Sequence, residues 1–314
     1  MFNIVYAFDE NYNQQAYVSI CSFMENVSEE CHVFIVHRDG ASFNKYELKL
    51  VKMFSNLRLT VKTFTNEGYY FPNLNSAHVS EATYYRLFFD KYIPQEIHKF
   101  LYIDADVICM NDPSMIINNV FSAMTENGNE IAAREEAPSN TVDLARRKAI
   151  GVNSKYFNAG VLFINYEVLQ QKNTFPKLRK RIQEIESEII FWDQDVLNSY
   201  YDGNFLNIDS TLNFNPNNLS DKSSHNDISD ILFLHYQGSN KPWNIDGIFS
   251  SYSSHYHNIY RKYGLGDYHI TSSWRTDTLK KFLSSLFTLR FFKLTHPFKF
   301  ITSVIFFLIS KKVN

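Results

Sequence analysis

Over the first hundred residues, short apolar runs alternate with longer stretches whose apolar side chains recur every three or four positions. Asn3 to Phe8 is rich in β-formers and ends at Asp9, and Gln14 to Asn26 follows with Tyr17, Ile20, Cys21 and Met24 at helical spacing. His32 to His37 is a second strand pattern, Ser42 to Phe54 an amphipathic helix with Ser42 as its candidate cap, and Leu57 to Phe64 a third strand. Glu81 to Tyr92 reads as a helix, and Phe100 to Ile103 as a compact strand stopping at Asp104-Ala105-Asp106. Downstream, Phe157 to Asn165 has the apolar run of a buried strand, Phe175 to Ile190 and Asp193 to Tyr200 read as helices, and Ile231 to Leu234 is a last strand before His235. This alternation predicts an α/β fold with a mostly parallel central sheet and helices on both faces. Ligands bind such sheets beyond the carboxyl ends of the strands, so Asp9, Asp104 and Asp106 are expected to face one crevice.

No repeat, low-complexity stretch or linker interrupts residues 1–265, which we read as one catalytic domain, with 266–314 as a separate segment. From Arg275 to Asn314 eight basic residues stand against Asp277 alone, so this segment carries +7 and the first 274 residues −9 of a net −2. It is also apolar, with Phe282, Leu283, Leu286, Phe287, Leu289, Phe291 and Phe292, then Phe300 to Ile309 broken only by Thr302 and Ser303. That last run is half the roughly 20 residues of a bilayer-spanning helix. A short, basic, aromatic segment predicts an interfacial anchor on an anionic leaflet; the alternative is a C-terminal helix packed on the body with solvated lysines. Met1 to Tyr6 begins directly as a strand, without the features of a signal peptide, so the expected location is the cytoplasm, peripheral on the inner face of the cytoplasmic membrane.

Composition narrows the classes further. A 45% hydrophobic share in 314 residues is too rich for a disordered chain, and a pI near 6.6 argues against a nucleic-acid partner. Cys21, Cys31 and Cys109 suggest neither a disulfide framework nor a zinc site.

Asp104 and Asp106, one residue apart at a strand terminus, place both carboxylates on the same side of an extended backbone and invite a divalent cation, although Asp-x-Asp alone is more often a solvated loop than a site. His235 leads into Tyr236-Gln237-Gly238-Ser239-Asn240-Lys241-Pro242-Trp243, where a Gly turn and Lys241 form a cradle for phosphate and His235 is a candidate metal ligand. A metal on these residues with a diphosphate would stabilise a departing nucleoside diphosphate.

In order along the chain, Asp104-Ala105-Asp106, Phe157-Asn158-Ala159-Gly160-Val161, Trp192-Asp193-Gln194-Asp195-Val196-Leu197-Asn198 and the block His235 to Trp243 resemble glycosyltransferase family 8, with Ala7 to Tyr12 fitting as its first block. By pattern they are similar to bacterial lipooligosaccharide and lipopolysaccharide α-galactosyl- and α-glucosyltransferases, over about residues 3 to 263. The resemblance implies a GT-A type nucleotide-diphospho-sugar transferase domain that moves galactose or glucose from a UDP-hexose to an oligosaccharide or lipid-linked saccharide with retention of configuration. It implies Mn²⁺ on Asp104, Asp106 and His235, a donor set that suits manganese better than magnesium without excluding the latter. Ala7, Asp9 and Asn11 would hold the uridine, and Gly238 and Lys241 the diphosphate. Arg86, Asp104, Asn158, Asp193 and Gln194 would surround the sugar, the chemistry falling to Gln194, Asp193 and the ion ligand Asp106. An amide is a poor nucleophile, so same-face substitution with Gln194 facing an oxocarbenium-like state is the expected route. On the acceptor side the sequence departs from the galactosyltransferase pattern, with Phe191 in place of a tyrosine and Gln237 in place of a cysteine; His78 and Thr211, in the loop 211–218, complete the expected rim. A glucosyltransferase acting on a protein-linked or cell-wall glycan, a non-catalytic sugar-nucleotide-binding protein and a metal-dependent phosphohydrolase are the competing readings.

Overall fold

A computed structural model describes residues 1–74, 80–218, 228–271 and 275–310. Nine strands are formed in these residues: β1 Phe2–Phe8, β2 Cys31–His37, β3 Leu57–Thr63, β4 Phe100–Ile103, β5 Val107–Cys109, β6 Ile131–Glu135, β7 Phe157–Ile164, β8 Leu206–Asn207 and β9 Phe233–His235. Seven make one sheet in the order β3-β2-β1-β4-β7-β6-β8, and β5 pairs with β9 in a small second sheet. The sheet is mostly parallel, as expected, but β7 runs antiparallel to both of its neighbours.

The strands are nearly continuous in apolar residues because both faces of the sheet are covered. Successive side chains enter different cores: Ile4, Tyr6 and Phe8 of β1, Leu101 and Ile103 of β4 and Val161 of β7 join one, while Val5, Phe100, Tyr102 and Leu162 join the other. The first core is closed by helices α1 Asn13–Asn26, α2 Asn44–Met53 and α3 Ser114–Asn127. Beyond α4 Thr141–Ala149 and α5 Tyr166–Gln171, the helices α6 Thr174–Glu184 and α7 Trp192–Tyr201 cover the second core, together with a long 3-10 helix over Glu81–Lys91.

Several expected boundaries move. Ser42 is no cap: its hydroxyl donates to Asp39 O at 2.7 Å inside the 3-10 turn Gly40–Phe43, and α2 starts at Asn44. The helix expected over Phe175 to Ile190 stops at Glu184, because Ile185 and Ile189 turn into the second core. The helix expected over Glu81 to Tyr92 winds as a 3-10 helix over Glu81–Lys91 capped by Ser80, whose hydroxyl accepts from Ala82 N at 3.3 Å. His235 is the last residue of β9 rather than the one after it.

The chain closes with α8 Ile245–Ile248, α9 Ser253–Lys262, α10 Arg275–Phe287, a 3-10 turn Arg290–Lys293 and α11 Pro297–Ile309. The C-terminal segment is docked on the body: its Tyr268, Ile270, Phe282, Phe291, Phe300 and Val304 form a third apolar cluster with Ile245 and Ile248 of α8. Its other side leaves Phe287 92% exposed, and Leu289, Phe292, Phe298 and Phe306 exposed with it. Among the described residues no helix is long and apolar enough to cross a membrane. All three cysteines are free and buried.

Candidate active site

The site forms at the carboxyl ends of β1 and β4, where the amino end of β7 and, from the small second sheet, the end of β9 join them. β1 runs out at Asp9, which is buried; its Oδ1 accepts from Asn11 N at 3.0 Å and so caps the turn Glu10–Tyr12. Ala7 is half-buried just before it. β4 ends one residue before Asp104, and Val107 of β5 then pairs with His235 of β9, so Asp106 arrives beside the imidazole. Because β7 is antiparallel to β4, its amino-terminal residues reach the carboxyl edge, and Asp104 N donates to Gly160 O at 2.8 Å.

One oxygen from each of Asp104 and Asp106 and a ring nitrogen of His235 lie within 4.8 Å of one another. Their chemistry fits a cation. Asp106 Oδ1 is buried with no hydrogen-bond donor and faces His235 Nε2 at 3.3 Å. The proton of His235 is fixed from behind: Gly160 N can only donate, to Asn158 Oδ1 at 2.9 Å, and Asn213 Nδ2 donates to the same oxygen at 2.9 Å. Asn213 Oδ1 therefore accepts from His235 Nδ1 at 2.8 Å, and Nε2 is left with its lone pair toward Asp106. Two electron-pair donors opposed in this way call for a cation between them. Gly160 is required beneath the ring, where a Cβ would come 2.1 Å from His235 Cε1.

Lys241 Nζ donates to Asp106 Oδ2 and, at 2.6 Å, to Tyr236 O. Burial opposes the charge on each partner, yet the pair outweighs it: the Asp106 carboxyl is held well below the usual range by Lys241, and the Lys241 pKa is raised by Asp106. Gly238, at φ 74°, makes the turn that brings Lys241 back over the site. Tyr12, edge-on to Trp243 at 6.1 Å, lies close enough to Lys241 and Asp106 for their charges to act on its phenol, joining the Asp9 corner to the ion site.

The opposite wall is built around Arg86, which is buried on the 3-10 helix. Its Nη2 reaches Asp104 Oδ1 at 3.0 Å, its Nε reaches Asp193 Oδ2 at 2.7 Å, its Nη1 donates to Ala159 O, and its guanidinium lies 4.3 Å from the Tyr102 ring centroid. Tyr102 OH and Thr83 Oγ1 donate to Asp104 and Asp193 respectively. The two ends of the Arg86–Asp193 pair respond differently. Asp104 and Asp193 together overcome the burial of Arg86 and raise its pKa, whereas burial lifts the Asp193 carboxyl to about 6, because one shared guanidinium returns less than desolvation takes. Gln194, next on α7, accepts from Ala159 N at 3.0 Å.

Asp104, Asp106, His235, Lys241, Arg86, Asn158, Asp193 and Gln194 are thus contiguous, with Ala7, Asp9 and Asn11 at the adjoining corner. Of the expected acceptor residues Gln237 adjoins this cluster, its backbone N donating to His235 O at 2.9 Å. Phe191 is exposed ahead of α7, with the Arg146 guanidinium 4.5 Å from its ring centroid. Gln237 Oε1 accepts from Asn215 Nδ2 at 2.9 Å, and its Nε2 is buried without a partner. Thr211 Oγ1 donates to Asp209 Oδ1 at 2.7 Å within the turn Ser210–Asn213. His78 falls outside the described residues. Sequence reasoning placed Asn213 only in the rim loop 211–218, and it missed Thr83, Tyr102 and Tyr156, none of which lies in a motif. It also missed Glu136, whose carboxyl is raised by burial.

Comparison with known proteins agrees with this geometry. The family model described as Glycosyl transferase family 8 matches residues 3–247. The chain is 28% identical over 262 residues to the lipopolysaccharide 1,3-galactosyltransferase of Salmonella typhimurium, covering 79% of this chain and 74% of that one. It is 27% identical over 298 residues to a lipopolysaccharide 1,2-glucosyltransferase of Escherichia coli, covering 89% and 81%. Among solved structures, the galactosyltransferase LgtC in complex with donor and acceptor sugar analogs superposes with a TM-score of 0.68 at 23% identity, over 88% of this chain and all of that one, which supports the GT-A fold. With its family model covering most of its length and its acid–histidine cluster at the expected strand ends, the chain belongs to glycosyl transferase family 8.

Proposed function

We propose that the protein is a retaining hexosyltransferase that moves galactose or glucose from a UDP-sugar to a saccharide acceptor, a lipooligosaccharide or lipopolysaccharide core. The observation that carries this reading is the Asp104, Asp106 and His235 cluster, with an orphaned carboxylate oxygen and Lys241 beside it. Asp104, Asp106 and His235 would hold Mn²⁺, with Mg²⁺ as the alternative, and the bound ion would supply Lewis-acid stabilisation of the diphosphate.

The remaining roles follow from the residues themselves. Asp9 and Asn11, beside Ala7, receive the uridine, while Lys241 and the Gly238 turn receive the diphosphate. Asp193 is buried and already committed to Arg86 and Thr83, which suits gripping a sugar hydroxyl and does not suit attack on the anomeric carbon. Gln194 is half-buried, and its carbonyl oxygen faces the developing positive charge. The leaving phosphate takes the acceptor proton on the same face. The partnerless Gln237 amide nitrogen and the Phe191 ring contact the acceptor, with Thr211 and His78 at the rim.

Residues 1–265 form the catalytic unit, and 266–314 associate with the inner face of the cytoplasmic membrane. Exposed Phe287, Phe292, Phe298 and Phe306 beside Lys280, Arg290, Lys293 and Lys299 support that role.

The test is UDP release by the purified protein with Mn²⁺ and UDP-galactose, UDP-glucose or UDP-N-acetylglucosamine, with and without lactose-type and core-oligosaccharide acceptors. Metal-dependent release from one hexose donor, stimulated by acceptor and lost in Asp106→Ala, is the expected result. Release that no acceptor stimulates would instead favour a phosphohydrolase. Near-normal turnover in Gln194→Ala beside a dead Asp193→Ala would remove the role given to Gln194.

A further inference from the structure

Two buried groups behind Gln194 take no part in the reaction described above. Asp195, in the first turn of α7, is fully buried and receives four donors: Arg146 Nη1 at 2.6 Å, Tyr156 OH at 2.6 Å, Ile190 N at 2.9 Å and Phe191 N at 2.7 Å. A carboxylate can only accept, so the Tyr156 hydroxyl commits its proton to Asp195. Burial first, and Asp195 after it, raise the Tyr156 pKa well above that of a free phenol, so the hydroxyl stays protonated. Its free lone pair then accepts from Gln194 Nε2 at 3.2 Å. At the other end of the same amide, Ala159 N, which can only donate, reaches Gln194 Oε1 at 3.0 Å, and Asn158 Nδ2 approaches that oxygen at 3.4 Å. The two anchors demand opposite ends of one carboxamide. A flipped amide would set an NH₂ against the Ala159 N–H and a carbonyl against a tyrosine oxygen whose proton is already committed.

We propose that Tyr156, held by Asp195, is a positioning residue that fixes Gln194 with its carbonyl oxygen on the Asn158 and Ala159 side of the crevice, where the donor sugar is read. This rests on the role proposed for Gln194. Asp195 thereby acts on the reaction from behind the crevice, through Tyr156 and without touching substrate. Arg146, itself joined to Asp143 at 3.0 Å, pairs with Asp195 at 2.6 Å and braces the far end of the chain of hydrogen bonds.

The test is a double-mutant cycle on the full chain. Tyr156→Phe removes the oxygen that accepts from Gln194 and keeps the ring. It is expected to lower kcat roughly 3- to 10-fold, with KM for the UDP-hexose and affinity for UDP unchanged. In a Gln194→Ala background the same substitution is expected to change kcat no further, whereas a purely structural role would give the same loss in both backgrounds. Because Gln194→Ala could reduce turnover below detection, a second readout follows the Gln194 side-chain NH₂ resonances in protein labelled with ¹⁵N-glutamine, assigned by their absence in Gln194→Ala. Tyr156→Phe is expected to shift them and speed their solvent exchange. Equal losses in both backgrounds, an unchanged kcat, or unmoved NH₂ resonances overturn the proposal. A wild-type chain that turns over no donor would instead refute the transferase reading, which separates the two failures.

Discussion

Gly160→Ala probes the ion site without touching a ligand. A Cβ at this position would lie 2.1 Å from His235 Cε1, 2.7 Å from Nδ1 and 2.9 Å from Nε2, whereas ordinary contact begins at 3.4 Å. The imidazole must therefore withdraw by about 1.3 Å. It has little room, being buried in β9 with Nδ1 at 2.8 Å from Asn213 Oδ1, so the withdrawal either breaks that bond or strains β7. Overpacking of this kind costs about 1–3 kcal/mol, or a melting shift of a few degrees in a chain of this size. The larger effect falls on the metal. Moving a ligand off its supporting hydrogen bond costs roughly 10- to 100-fold in affinity, so Mn²⁺ binding measured by calorimetry with UDP present should weaken by that factor, approaching the value for His235→Ala. Gly160→Ala protein that binds Mn²⁺ as tightly as wild type, alongside a weak His235→Ala, would refute this account of how His235 is held.

Four further outcomes are expected. The Asp193 carboxyl is raised to about 6 from 3.8, so between these values the folded chain holds a proton that the unfolded chain has lost, and Asp193 contributes stability below about pH 4 that disappears as pH rises through about 6. Melting curves of Asp193→Asn against wild type should accordingly diverge in the mutant's favour from pH 4 to 6.5, and the acidic limb of kcat/KM should centre near 6; parallel melting curves would contradict the assignment. Lys241→Met should lower kcat/KM for the UDP-sugar by about two orders of magnitude, by analogy with removing one charge-stabilising donor, and a loss under threefold in a steady-state assay would place the diphosphate elsewhere. On the C-terminal segment, Phe300→Ala, fully buried, should destabilise docking by about 3–5 kcal/mol in thermal melts. Phe287→Ser with Phe306→Ser, both exposed, should leave the melt unchanged and reduce sedimentation with anionic vesicles, and unaltered vesicle binding would remove the membrane role.

Much of the fold was legible because β1, β2, β4 and β7 are apolar runs that only a sheet covered on both faces can hide, and because the acids that matter sit at the ends of those runs. Asp104, Asp106 and His235 could be grouped from local chemistry and the family blocks. The sequence could not show that β7 is antiparallel, since strand direction follows from how distant segments pack and leaves no mark on the apolar period. Yet that reversal brings Asn158 and Gly160 to the crevice. In their roles Asn213 and Tyr156 stayed hidden for a related reason. Each acts through one hydrogen bond to a residue far along the chain, His235 in one case and Gln194 in the other, and such partners carry no spacing to read. The C-terminal segment divides in the same way. Its charge and aromatic content belong to the sequence alone, whereas which phenylalanines are buried and which face outward was decided by Ile245 and Ile248 of the body together with Tyr268 and Ile270 at the segment's own start, the surface they had to cover.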